Sequence, residues 1–255
     1  MIHLKIEGIK FKNSFSMYVL LISPLVFLCF AIFTVLFAKS NTGTANSVSP
    51  YITLLFNIWP IAFIPIVLCM ACNSLFKIEM RNKSFNYYLS NNWSITKEIR
   101  AKIFILSIAF LVHCFLVFII AYIGDLIINP HPVNAMLLLV TILLMYVVSL
   151  PLIPLNFLLT RYFGVSVSIL INLVLSVICV LFLTLKSLFW VLPWGIMQRI
   201  PLITLGILPN GLVVNHNSKY FNDLNALYIS IIVSIIIFAI VTFLNNKKSW
   251  RLNDN

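Results

Sequence analysis

The sequence predicts an all-α membrane protein with six transmembrane helices in a single domain, 1–255. Three observations predict it. The chain is 62% hydrophobic and only 9% charged, which leaves too little polar surface for a water-soluble domain of this length. Six apolar runs are each about 18 residues or longer, enough to cross the hydrocarbon core as a helix. The runs are continuous rather than alternating, which selects helices over a transmembrane barrel.

The first run covers 17–38, MYVLLISPLVFLCFAIFTVLFA, and the second 51–72, YITLLFNIWPIAFIPIVLCMAC. The third covers 103–123, the fourth 135–158, the fifth 163–185 and the sixth 226–244. The first run carries no A-x-A-like cleavage site and is expected to remain as a span. No internal repeat, low-complexity tract or linker divides the chain.

Charge placement orients these spans. Of the 17 Lys and Arg, only Lys39, Lys186, Arg199 and Lys219 fall on one side. The others lie in the N-terminal arm, the loops after spans two and four, and the tail. The positive-inside rule then places both termini in the cytoplasm, in agreement with an even number of spans. The net charge of +11 is thus an orientation signal, assisted by anionic lipid, and not a nucleic-acid-binding surface.

Three segments are not spans. In the N-terminal arm, Ile2, Leu4, Ile6, Ile9 and Phe11 mix with Lys5, Lys10 and Lys12, which predicts an elbow helix in the cytoplasmic interface with snorkelling lysines. Between spans two and three, Phe85, Tyr88, Leu89 and Trp93 share one helical face. Asn91-Asn92 would end that helix, and Ser94 or Thr96 would cap the next, with Glu98 near its N-terminus. The aromatic face suits either a lipid surface or a groove in a soluble partner. The segment 186–224 is apolar yet broken by Pro193, Gly195, Pro201, Gly206, Pro209 and Gly211, which predicts short half-helices dipping into the outer leaflet. Trp190 and Trp194 suit the interface, and Arg199 suits a phosphate, a carboxylate or a helix C-terminus. With Pro209, Asn210 and Gly211 they form a candidate extracellular or substrate surface.

Engines of transport are missing from the sequence. It holds no G-x-x-x-x-G-K-[ST] loop for ATP, no H-E-x-x-H and no G-x-S-x-G. The span interiors hold no acid–base pair of the kind that couples transport to protons or sodium. His113 reads as a packed, hydrogen-bonded imidazole. Cys29, Cys69, Cys72, Cys114 and Cys179 lie in apolar runs and read as packing thiols, not as metal or redox groups. A chain of this kind moves a substrate only if another protein supplies the energy.

Four local features carry a family resemblance: IEGIKFKNSF leading to SPLVF, Glu79 in KIEMRNKSFNYYLS, the basic run ITKEIRAKI, and PWGIMQRIPLITLGILPNG before span six. Together with the six-span plan, they resemble the membrane subunits of type-2 ABC exporters over essentially the whole chain. More narrowly, the chain resembles the permease subunits of lantibiotic-immunity transporters. The last stretch is the most specific. The usual glycine of the second is replaced here by Asn82-Lys83-Ser84.

The resemblance implies a multi-pass protein of the cytoplasmic membrane of a Gram-positive bacterium. It implies a non-enzymatic subunit that expels a lantibiotic-like antimicrobial peptide, conferring bacteriocin immunity. Its partners would be a cytoplasmic ABC ATPase dimer, a second copy or a related six-span chain, membrane lipid and the peptide. ATP and Mg would bind the ATPase, leaving this chain without a cofactor. The helix near 84–93 would be a coupling helix, with Glu79, Phe85, Tyr88, Leu89 and Trp93 as coupling residues. Alternatives are export of another peptide, a drug or a lipid, and a polytopic scaffold or enzyme.

Overall fold

A computed structural model describes residues 2–37, 48–82, 88, 90, 91, 94–214 and 218–247. The arm before span one is helix α1 (Ile2–Lys12). Span one is split into α2 (Phe15–Ile22) and α3 (Val26–Phe37) by a 3-10 turn over Ser23–Leu25. Pro24 explains the split, because it has no N–H to give the Leu20 carbonyl four residues back. That carbonyl instead accepts from Nδ1 of His113, 2.9 Å away. His113 is therefore the hydrogen-bonded core imidazole that the sequence predicts.

Span two comprises α4 (Pro50–Ile58), a π-helical turn over Trp59–Phe63 and α5 (Ile64–Arg81). Ser49 caps α4 by accepting from the Ile52 N–H, and Pro50 stands at the first helical position, where its missing donor is harmless. Pro60 cannot donate to Phe56, and the helix widens there. Helix α6 (Ile95–Ile128) begins eight residues before the expected span three, so spans two and three both extend past their apolar runs. Helix α7 (Ala135–Ser149) is capped by Asn134, whose side chain accepts from the Met136 N–H at 2.8 Å.

Helix α8 (Leu152–Ile178) bends sharply at Gly164, with φ 71° and ψ 176°. Asn172 Nδ2 donates to Asn156 Oδ1 at 2.7 Å, although these residues would be about 24 Å apart on a straight helix. The chain therefore folds back at Gly164, and α8 is two arms. A second π-helical turn, Cys179–Leu183, ends it. The expected half-helices of 186–224 are in fact a 3-10 turn over Phe189–Val191, one helix, α9 (Pro193–Leu205), and a tight hairpin. All thirteen residues of α9 are buried. Gly206 ends α9 in the left-handed region, and the Ile207 N–H returns to the Pro201 carbonyl. The chain closes with α10 (Leu224–Lys247).

By length and composition, five helical stretches among the described residues can cross a membrane: Phe15–Leu36, Pro50–Arg81, Ile95–Ile128, Leu152–Leu183 and Leu224–Asn245. Ala135–Ser149 is apolar but shorter. The apolar core runs through the centre of the bundle, with Tyr51, Phe56, Trp59, Phe110 and Phe157 fully enclosed. Polar ties hold the helices in register. Ser16 donates to the Ala71 carbonyl at 2.7 Å, the Cys72 thiol faces the Ile153 carbonyl at 3.4 Å, and Asn245 Nδ2 donates to the Pro154 carbonyl at 2.9 Å. Gly124 lets Tyr51 approach α6, since a Cβ there would lie 2.5 Å from the phenol ring.

Of the three buried charged residues on α6, Glu98, Lys102 and Asp125, the last two mark the ends of the bundle. Lys102 and Asp125 are twenty-three positions apart, about 35 Å along the helix, slightly more than the hydrocarbon thickness. Asp125 accepts from the Ser49 hydroxyl and, at 2.7 Å, from the Val133 N–H. It thereby joins the start of span two to the turn before α7.

Candidate functional site

The opposite end, around Lys102, holds the strongest concentration of charge. Glu7 and Lys10 lie three residues apart on one face of α1, and their contact is 2.8 Å. Glu79 comes from the last turns of α5, and Lys102 from the second turn of α6. Lys10 Nζ donates to Glu7, to Glu79 at 2.8 Å and to the Tyr88 hydroxyl at 2.7 Å. An ammonium has three protons, and all three are used. Lys102 Nζ donates to the other oxygen of Glu7 and, at 2.7 Å, to Glu79. The Tyr88 hydroxyl donates to the second Glu79 oxygen, at 3.1 Å. The result is a closed ring in which two carboxylates and two ammoniums alternate, with no net charge.

Burial sets the energetics of this ring. Glu7, Glu79 and Lys102 are almost wholly withdrawn from solvent. Desolvation alone would make each charge expensive, and only a complete set of opposite partners offsets it. Burial pushes the Glu7 carboxyl above its ordinary range, against the opposing pull of Lys102 and Lys10. Burial also works to discharge Lys10, but the hydrogen bonds it donates to Glu7, Glu79 and Tyr88 outweigh it and hold the ammonium charged. The Tyr88 phenol is pushed up to about 12, chiefly by burial, with Lys10 opposing and Glu79 adding to the rise.

A second tie runs beside the ring. His3 Nδ1 pairs with Glu98, a buried carboxylate in the first turn of α6. The two links from α1 to α6, residues 3 to 98 and 7 to 102, keep the same offset of 95 positions. Helix α1 therefore tracks the first turns of α6 in the same sense. This corrects the expected distribution on the elbow. Its charged residues Glu7 and Lys10 face the bundle, while Leu4 and Ile9 face outward.

Of the expected coupling residues, Glu79 and Tyr88 are brought together in the ring. Tyr88 is buried against it, which corrects the expectation that Tyr88 belongs to an outward aromatic face. Phe85, Leu89 and Trp93 lie outside the described residues. Ser94 precedes α6 in extended conformation and bonds through its hydroxyl to Thr96, at 2.9 Å, without capping the helix by its side chain.

The expected outer surface divides. Trp190 is exposed, and Pro209, Asn210 and Gly211 form the tip of the hairpin. There Gly211, at φ 82°, donates its N–H to the Leu208 carbonyl. Trp194 and Arg199 are interior, because α9 is enclosed. Trp194 Nε1 donates to Asn172 Oδ1 at 3.2 Å, and Gln198 joins the same helix pair through Ser176 and Thr184. Arg199 donates to the Thr184 carbonyl at 3.0 Å and lies 3.6 Å from Asp223. Its guanidinium stands over the rings of Phe189, at 5.2 Å, and Tyr220, at 4.7 Å. Arg199 thus meets a carboxylate and a helix C-terminus, two of its three expected partners. A cavity of about 230 Å³ opens near this end, lined by Val133, Leu137, Leu205, Val213 and Phe221 among others.

Sequence reasoning did not single out Lys10 and Lys102 as partners of Glu79, nor Asn156 and Asn172 as partners of each other. A signal was present for the first pair. The chain has only six acidic residues, and Glu7, Glu79 and Glu98 fall among the basic residues of the arm and of the segment between spans two and three. Carboxylates so scarce within a basic region are expected to be paired.

A scan against protein-family models finds no match. Comparisons with curated proteins and with solved structures also find none.

Proposed function

We propose that this chain is the membrane subunit of an ABC-type exporter, driven by an ATPase on a separate chain, that expels a lantibiotic-like peptide. The observation that carries this reading is the closed ionic ring. It joins the N-terminal arm, the end of span two, the beginning of span three and Tyr88 of the segment between them. A force applied to that segment from the cytoplasm would reach two spans and the arm together, as a rigid body. A solvated loop would absorb the same force.

The helix count supports the same plan. If α7 and the first arm of α8 form one pass, broken at Leu150-Pro151, and the second arm forms another, the chain crosses six times. Both termini then lie on the basic side. The peptide substrate and the Gram-positive setting rest on the sequence resemblance alone.

The test is purification of the tagged full chain from its own membrane in mild detergent, with mass spectrometry of what accompanies it. A stoichiometric P-loop ATPase is the expected outcome. Recovery of the chain alone across several detergents would overturn the proposal.

A further inference from the structure

We propose that the outward face of α1 binds the phosphate headgroups of anionic phospholipids through Lys5 and Lys12. The proposal needs the chain to be a membrane protein, but it does not depend on the exporter reading. At about 100° per residue, positions 5 and 12 fall within about 20° of each other, one stripe along the helix. Leu4 and Ile9, 41% and 59% exposed, flank that stripe on its two sides. The opposite face carries His3, Glu7 and Lys10, all engaged with the bundle. Helix α1 therefore turns its ion pairs to the protein, where Phe11 also packs, and turns Leu4 and Ile9 away from it.

Two things select lipid as the occupant. One is depth. Glu7 pairs with Lys102, which marks one end of the roughly hydrocarbon-length stretch of α6. Residues 4 to 12 thus straddle the boundary between acyl chains and headgroups. There Leu4 and Ile9 can enter the apolar layer while the lysines extend to phosphate. The exposed side chains Phe15, Tyr18 and Ile22 continue the apolar surface into span one.

The other is charge. Glu7, Glu79 and Glu98 are buried and paired, so no described carboxylate is exposed at this end. Lys5 and Lys12 are exposed, as are Lys77, Arg81, Lys97 and Arg100. A zwitterionic headgroup brings its own ammonium close to these cations, whereas an anionic one does not. Each lysine near an anionic surface is worth about 1 kcal/mol, roughly a fivefold preference.

The test is native mass spectrometry of the purified full chain, titrated in detergent with phosphatidylglycerol or with phosphatidylcholine. The wild type should retain the anionic lipid with a preference of about 25-fold or more. Lys5→Gln/Lys12→Gln should lower that preference about 25-fold. Lys5→Arg/Lys12→Arg should keep it, as should Lys186→Gln, a change at an exposed lysine on the opposite side. An absent preference, or an equal loss in the Lys186 variant, would overturn the proposal. So would an unchanged lipid preference in the double Gln variant together with salt-sensitive loss of a co-purifying protein, which would assign the stripe to an acidic protein surface.

Discussion

Glu79 accepts from Lys10 and Lys102 through one oxygen and from Tyr88 through the other. Glu79→Gln would leave the buried Lys102 ammonium and the half-buried Lys10 ammonium facing the single charge of Glu7. Breaking a buried pair by removing one partner costs about 3 kcal/mol. The variant should therefore melt well below wild type in detergent, monitored by intrinsic tryptophan fluorescence. Glu79→Gln/Lys102→Met removes one charge of each sign and should recover part of the loss. A Glu79→Gln chain that melts with wild type would remove the ring from the energetics. In the sequence Glu79 stands out only through the motif that carries the resemblance. Its partners stand out less. Lys10 is 69 positions away, and only folding sets them side by side. His113 was legible for a physical reason: a lone imidazole in an apolar run needs one partner, and Pro24 leaves the Leu20 carbonyl free to be that partner.

Among the elements, α8 departs furthest from what its length suggests. Gly164 occupies a backbone region open almost only to glycine, and a Cβ there would meet no atom within 4 Å. Any harm done by Gly164→Ala is therefore conformational rather than steric, about 1–3 kcal/mol. The fold-back has a sharper test. In a chain otherwise free of cysteine, Asn156→Cys/Asn172→Cys should be joined within one molecule by a short bifunctional thiol reagent. A continuous helix would hold the two thiols about 24 Å apart, beyond its reach. Five of the six expected spans were legible as elements, because apolar runs of that length have few alternatives; the fourth, 135–158, is instead a shorter helix that ends at Ser149. A turn was expected between runs four and five, near Arg161, and Gly164 supplies it three residues on. The burial of α9 was not legible. Its prolines and glycines announce irregular backbone, but nothing local says that Trp194, Gln198 and Arg199 will each find an interior partner.

For the whole molecule, the decisive quantity is the number of crossings. Single cysteines replacing Lys12, Arg81 and Tyr162 should react with a membrane-impermeant maleimide from one side of sealed vesicles. Cysteines replacing Ser187 and Asn210 should react from the other. These positions bracket the arm, the end of span two, the Gly164 turn, the end of the second arm and the hairpin tip. Labelling of position 162 from the side of Asn210 would defeat the six-span count. Composition carries the all-helical membrane character in the sequence, since it is a sum over many residues and tolerates local error. The ring and the fold-back depend on single contacts between distant positions, which no sum over the sequence contains.

The ring also has a history in each molecule's synthesis. Its first carboxylate, Glu7, precedes its partner Lys102 by 95 residues. At about 5–20 residues per second, the arm waits about 5–20 s for that partner to be made. Until then its charges cannot leave water, and the arm stays at the membrane surface while spans one and two insert. Closure of the ring then waits for the start of span three, and it reports that the arm has met the end of span two and the start of span three.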